Sequence, residues 1–252
     1  MIAVLSPAKT LDYASPLPDV EATRPRFADE AATLAAAAGR LGAKRLGELM
    51  GISAKLATLN VQRFRGFADA EDRPALYAFA GDVYRGLEAK SLEPEAVTFA
   101  QDHLRLLSGL YGLLRPLDAI RPYRLEMGTA WAPRRKKLTD WWGDRIADAL
   151  ADDLVEEGSG VVLNLASQEY WAPLAGRLDP AVRVVAVDFR QASPDGPKFE
   201  SFAAKRARGT MARWMAEHRI EDVDAMKGFD ADGYAFVGEI DGDADHWRFV
   251  RG

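Results

Sequence analysis

Five charged side chains crowd into the dozen positions from Arg115 to Glu126: Arg115, Asp118, Arg121, Arg124 and Glu126. Carboxylates set among guanidinium groups can move protons or hold an anion, so Glu126, with Glu169 further along, is a candidate general acid or base. The surrounding stretch, Ser108–Gly128, reads SGLYGLLRPLDAIRPYRLEMG and holds three glycines, two prolines and two tyrosines. Pro116 and Pro122 lack an N–H and restrict the residues before them, which predicts short extended pieces and tight turns. Leu106, Leu107, Leu110, Leu113 and Leu114 are apolar enough to pin these pieces to a core. Charged groups on such a frame suit a binding site. The alternative is a buried connector whose arginines and acids pair with one another.

The elements that must position these groups are strands and the loops that leave them. Ile2–Leu5 reads as a buried strand ended by Ser6-Pro7. Lys9 and Thr10 follow in a loop that holds no glycine and so is not a P-loop. They are either site residues or a solvated turn. Gly160–Ala166 reads as a second buried strand, with Asn164 and Ser167 at its end and a helix starting at Gln168, a credible polar site. Arg183–Phe189 is a third strand, Lys198–Phe202 a segment that pairs with a neighbour, and Tyr234–Ile240 with Trp247–Val250 a terminal hairpin. Helices are predicted over Ala28–Leu41, Pro94–Leu107, Leu138–Glu157 and Ser201–Arg219, where Gly209 permits close packing, and Pro74–Ala80 is a short helix or strand. Ligands of open α/β sheets collect at strand ends. On that rule Tyr111, Arg115, Asp118, Arg124, Asn164 and Ser167 are expected to line one polar cleft with Glu126 and Glu169. No linker, repeat or low-complexity segment divides the chain, so the reading is a single α/β domain over residues 1–252, a mixed β-sheet flanked by helices.

Residues 44–66 carry a second pattern. Leu46, Leu49 and Met50 share one helical face, Gly51-Ile52-Ser53 forms a tight turn, and Leu56, Leu59, Val61 and Phe64 supply a second apolar face. This resembles a helix-hairpin-helix with Ser53 in place of the second glycine. In that arrangement backbone amides at the start of the second helix meet a DNA phosphate. Gly51, Ile52, Ser53, Lys55 and Arg63 are the candidate DNA contacts there, joined by the basic cluster Lys205, Arg206 and Arg208. An ordinary αα-hairpin packed on the core is the alternative. Arg134–Lys137 is a basic run that fits a solvated loop or a phosphate contact.

Composition sets the outer limits. The chain has 252 residues, 48% hydrophobic and 28% charged, as in an ordinary globular protein. With no cysteine, disulfides, thiolate metal sites and cysteine nucleophiles are excluded. His103, His218 and His246 lie far apart, without the spacing of a transition-metal site, so no metal site or cofactor is expected, although carboxylates alone could bind a hard cation. No serine has a histidine at recognisable spacing, so no hydrolase triad is supported. The net charge of −5 confines any nucleic-acid contact to a local patch. No apolar run is long enough for a membrane span, and a cytoplasmic location fits best.

Several motifs carry a wider resemblance. LSGLYGLLRPLD and PYRLEMG in the central stretch, SPAKTLDY at Ser6–Tyr13, GDVYRGL at Gly81–Leu87, NLASQEY at Asn164–Tyr170, KRARG at Lys205–Gly209 and GFDADGYAF at Gly228–Phe236 resemble the YaaA family of bacterial peroxide-stress proteins. They occur in family order over essentially the whole chain. The resemblance implies a cytosolic protein of the peroxide response, associated with limiting free iron and with binding double-stranded DNA, and it favours a site role for Lys9 and Thr10, which join the residues expected in the polar cleft. The competing expectation is an enzyme acting on a nucleotide-like ligand or damaged base. A deep polar cleft would favour the enzyme, and a convex face joining the hairpin to the basic groups would favour DNA binding alone.

Overall fold

Ile2–Leu5 is apolar at every position, as a strand covered on both faces must be. The computed structural model of the chain describes residues 1–252, and that strand lies inside its sheet. In chain order the elements are β1 (Ile2–Leu5), α1 (Ala28–Gly39), α2 (Gly42–Met50), α3 (Ala54–Arg65), β2 (Arg73–Pro74), α4 (Ala75–Ala78), α5 (Asp82–Leu87), α6 (Pro94–His103), β3 (Leu104–Ser108), β4 (Gly112–Leu114) and β5 (Ala119–Ile120). They continue with α7 (Leu138–Trp142), α8 (Arg145–Glu157), β6 (Val161–Leu165), α9 (Gln168–Trp171), β7 (Arg183–Gln191), α10 (Ser201–His218), β8 (Tyr234–Ile240) and β9 (Asp243–Arg251).

Seven strands form one sheet in the order β4-β3-β1-β6-β7-β9-β8. The inner five, β3, β1, β6, β7 and β9, run parallel, and the edges β4 and β8 are antiparallel to their neighbours. β2 and β5 make a small separate ribbon. The chain goes from β1 to β3 on one side, then returns to β6 on the other, so its direction of growth reverses at β1. Crevices at the carboxyl ends of strands flanking such a reversal are where open α/β sheets hold ligands. Helices flank the sheet; α5, α6 and α10 pack together, with α10 over β1 and β7, and α8 packs beside β4. No helix is long and apolar enough to cross a membrane.

Two expectations about helices are corrected. The predicted helix Pro94–Leu107 stops at His103, and Leu104–Ser108 is strand β3, buried throughout. A short apolar run suits either element, and pairing of Leu104–Leu106 with Ala3–Leu5 decides for the strand. The predicted helix Leu138–Glu157 is two helices, broken where Gly143 adopts φ 55°, ψ −131°. The break lets Trp142, fully buried, turn its indole N–H onto the Gly109 carbonyl at 3.0 Å while α8 takes its own direction.

Two contacts join layers that sequence separation keeps far apart. Arg105 of β3 donates to Asp153 of α8 at 2.6 Å, and also to the carbonyls of Gln101 and Asp102 at the end of α6. Arg26, just before α1, donates to the same Asp153 carboxylate and to the Ala149 carbonyl. Asp153 and Arg105 are only 4% and 6% exposed. The second contact is a crossing of α5 and α10. A Cβ at Gly86 would lie 2.1 Å from the Arg206 carbonyl oxygen, and one at Gly209 only 1.7 Å from that of Val83.

Asp153→Ala strands two guanidinium groups, one of them buried, and is expected to cost about 3–5 kcal/mol of stability in urea unfolding. Gly209→Ala forces α5 and α10 apart and should cost at least about 1–3 kcal/mol. A Gly209→Ala protein as stable as wild type would show that the crossing does not hold the two helices.

Candidate functional site

Ser6 follows the last residue of β1, and Ser167 follows β6. Its Oγ accepts the Ser167 N–H at 2.9 Å and lies 3.3 Å from Ser167 Oγ, so the two strand ends are stitched side by side. The Ser6 carbonyl accepts the Tyr84 hydroxyl of α5 at 3.2 Å. Three residues beyond Ser6, the Lys9 ammonium stands 3.0 Å from Glu126 Oε2. The other oxygen, Oε1, accepts from Arg124 Nε and Nη2 at 3.1 and 2.9 Å. Glu126 is thus bracketed by two cations, with Lys9 55% exposed and Glu126 and Arg124 mostly covered. Two residues on, the Gly128 N–H donates to Glu169 Oε1 at 3.0 Å, tying the central stretch to α9.

Beneath these charges lie phenols. Burial pushes the Tyr84 and Tyr123 hydroxyls well above their ordinary range, and it raises Tyr170 as well, helped by the charges of Glu169 and Glu126. All three therefore stand neutral, as hydrogen-bonding groups rather than phenolates. Tyr123 is fixed by its 2.6 Å hydrogen bond with Ser108 at the end of β3. Asn164, paired with Val4 across the sheet, accepts the Ala166 N–H with Oδ1 at 3.0 Å. The resulting set offers an exposed amine, a carboxylate between cations, two hydroxyls and neutral phenols at the ends of β1 and β6. That set can hold an anionic group and move a proton.

Not every candidate joins it. Asp118 is buried and serves its own loop, accepting from Thr23 Oγ1 at 2.7 Å and from the Arg115 backbone N–H at 2.8 Å, with the Arg115 side chain alongside. Tyr111 is buried; its hydroxyl accepts the Arg121 N–H at 2.9 Å and is pushed up to about 12 by burial. Thr10 is exposed, and its carbonyl accepts the Ala80 N–H. Two concavities, of about 740 and 520 Å³, lie around α1 and Phe67 and are lined by neither Lys9, Arg124, Glu126, Asn164, Ser167 nor Glu169. Sequence reasoning passed over Ser6, Tyr84 and Tyr170 as individual residues. Each sits inside a motif, but nothing in the spacing of SPAKTLDY, GDVYRGL and NLASQEY says that the three meet.

The basic candidates separate in the same way. α2 ends in Gly51, whose left-handed φ of 59° turns the chain, and Ile52 N–H returns to the Gly47 carbonyl at 3.1 Å. Ser53 caps α3 by accepting the Leu56 N–H at 3.4 Å, leaving the Ala54 and Lys55 N–H groups without an acceptor in the chain. Lys55 is exposed beside them. Arg63 is at the far end of α3, roughly 12 Å away at 1.5 Å per residue, half-buried near Tyr13, and so does not belong to the turn. On α10, Arg208 is half-buried toward Asp188 and Arg206 lies 3.5 Å from Asp232, whereas Lys205 is exposed. Arg134–Lys137 is an exposed loop. No three His, Asp or Glu side chains gather where a metal could be held.

Because Ser6 Oγ is the acceptor for a covered Ser167 N–H, Ser6→Ala should cost about 1–3 kcal/mol. Lys9→Ala removes one side of an exposed pair and should cost at most about 1 kcal/mol. Urea unfolding of both variants checks the ranking; a larger loss for Lys9→Ala would make Lys9 a structural group.

The profile of a family described as "Peroxide stress protein YaaA" matches residues 1–240. A UPF0246 protein of Rhizorhabdus wittichii is 60% identical over 252 residues, spanning 100% of this chain and 99% of that protein. One from Idiomarina loihiensis is 48% identical over 241 residues (94% of this chain, 93% of that protein), and one from Hahella chejuensis 43% over 256 (100% and 99%). With the motifs in order, their residues placed at the strand ends and the profile covering nearly the whole length, the chain belongs to the YaaA family of peroxide stress proteins.

Proposed function

We propose that this peroxide-stress protein binds duplex DNA through the α2–α3 hairpin, by contacts to the phosphate backbone, and so helps limit iron- and peroxide-driven damage to DNA in the cytoplasm. The observation that carries the reading is the start of α3. Two unpartnered backbone N–H groups, an exposed lysine and no acidic residue in the first turn make a local positive surface on an acidic chain. Such a surface meets one or two phosphates and reads no base edge, so affinity should fall with salt and vary little with sequence. Ferrous iron turns peroxide into hydroxyl radical, and a protein on DNA stands where that damage falls. The reading takes residues 1–252 as one unit with residues 44–66 as its grip.

A second reading is favoured by the joining of Lys9, Arg124 and Glu126 beside the Ser6–Ser167 stitch. It is an enzyme acting on a nucleotide or a damaged base at the β1/β6 crevice, with Glu126 as the proton-transfer group and Glu169 fixing the Gly128 backbone.

The first reading is tested by fluorescence titration of several unrelated duplexes across a salt series. Lys55→Glu, alone and with Gly51→Leu, should weaken binding to every duplex alike and flatten the salt dependence. Unchanged affinity in both variants would remove the hairpin from the DNA contact. Wild type that binds no duplex even at low salt would leave the enzyme reading, for which Glu126→Gln should abolish turnover of the nucleotide or damaged-base substrate.

A further inference from the structure

Two phenylalanines, one just before α10 and one in its first turn, are not taken up by the core. Phe199 is 55% exposed and Phe202 67%, while the other exposed large apolar side chains are all leucine or valine. Each ring has a cation near its face: the Arg190 guanidinium 5.5 Å from the Phe199 centroid, and the Lys205 ammonium 5.6 Å from that of Phe202. Lys205 has no carboxylate partner.

The backbone beneath the rings is fixed. Gln191 and Lys198 exchange backbone hydrogen bonds of 2.9 and 2.8 Å, closing the intervening loop, so Phe199 stands beside the end of β7. Glu200 caps α10 by accepting the Phe202 and Ala203 N–H groups at 3.3 and 2.6 Å, which engages its charge within the chain. Behind Phe199, Arg190 and Arg248 share the single carboxylate of Asp188, and the half-buried Arg208 is near enough to feel its charge. Three guanidiniums against one carboxylate leave the ground positive. The result is two solvent-exposed aromatic rings on a hydrogen-bonded backbone, each with a cation near it.

We propose that Phe199 and Phe202 are a stacking platform for the unpaired bases of single-stranded DNA, with Lys205 placed for an adjoining phosphate. Every base offers a π face, so such a platform tolerates any sequence, and cations beside it follow the backbone. A duplex keeps its base faces inside the stack and cannot use the rings. This inference rests on the DNA-binding reading above but assigns a separate surface, away from the hairpin residues, and a separate form of DNA.

The test is fluorescence anisotropy with a labelled dT12 strand, an abasic strand of equal length and charge, and a duplex. Wild type should bind dT12 at least about tenfold more tightly than the abasic strand, the scale of one stacked base. Phe199→Ala/Phe202→Ala should lose that preference and keep its duplex affinity. Lys55→Glu should do the reverse, weakening the duplex and leaving dT12 unchanged, so failure of the hairpin reading is seen apart from failure of this one. The exposed rings carry little of the core, and circular dichroism of the double variant should match wild type. Equal binding of dT12 by wild type and double variant would overturn the proposal. So would equal binding of dT12 and abasic strand, or a dimer in sedimentation that the double variant loses, which would give the platform to a second copy of the chain.

Discussion

The parallel pairing of a four-residue strand is the constraint on which the rest of the molecule depends. β1 has neighbours on both sides, β3 and β6, and its residues are wholly buried. Parallel neighbours require long crossovers, and here those crossovers leave β1 in opposite directions. The segments that exit the carboxyl ends of β1 and β6 must then pass close to each other with unpaired backbone groups. Ser6 resolves this by accepting the Ser167 N–H with its side chain and the Tyr84 hydroxyl with its carbonyl. Two polar groups of the candidate site are hung from that stitch. Lys9 is three residues after Ser6, and Glu169 is two after Ser167.

The central stretch reaches the same place by a different route. β3 delivers the chain parallel to β1, and Ser108 ends it with a side chain that accepts the Tyr111 N–H and bonds Tyr123. Trp142 then holds the Gly109 carbonyl from behind, and Glu169 holds Gly128 from in front. Between those anchors Arg124 and Glu126 have little freedom. Preorganisation of this kind is what a site needs for proton transfer or anion binding, because the groups are placed before a ligand arrives. The α5–α10 crossing is part of the same frame. It sets Tyr84 under Ser6, and Asp232, from the GFDADGYAF segment, reaches Arg206 and Thr210 on α10.

How far the sequence discloses this follows from what each signal measures. Burial shows in composition, so the apolar strands β1, β6 and β7 and the terminal hairpin of β8 and β9 are readable, the last flanked by Asp and Gly turns. The central stretch, with its two prolines, was readable as extended pieces and turns. The Leu104–Ser108 strand was not, because LRLLS following a helix continues a helical pattern until a partner strand is known. The break at Gly143 was hidden for a related reason: one glycine in an amphipathic run lowers helix propensity without deciding the outcome. Pairings such as Lys9 with Glu126 lie more than a hundred positions apart, and no periodicity encodes them. The buried anchor Asp118 looked like a site residue for the same reason that real site residues do: a charged group in an apolar stretch has to be satisfied, whether by a ligand or by Thr23 and Arg115.

A chain of net charge −5 that meets a polyanion must do so where its own acids are engaged elsewhere. Most of its cations are not available. Arg105 and Arg26 are committed to Asp153, Arg183 to Asp224 and Asp245, Arg190 and Arg248 to Asp188, and Arg124 and Lys9 to Glu126. What stays open includes the exposed positions Arg40, Lys44, Lys55 and Arg65 in and around the hairpin, Lys205 at the start of α10, Arg219 at its end and the Arg134–Lys137 loop. Each phosphate neutralised contributes a slope of about −0.9 in log affinity against log salt on a duplex. With one or two contacts at the hairpin, the electrostatic part of binding is small. In the proposed contacts, backbone amides and, on single strands, aromatic faces would supply the remainder. The DNA contact proposed above is therefore one of local backbone geometry rather than of a broad basic field.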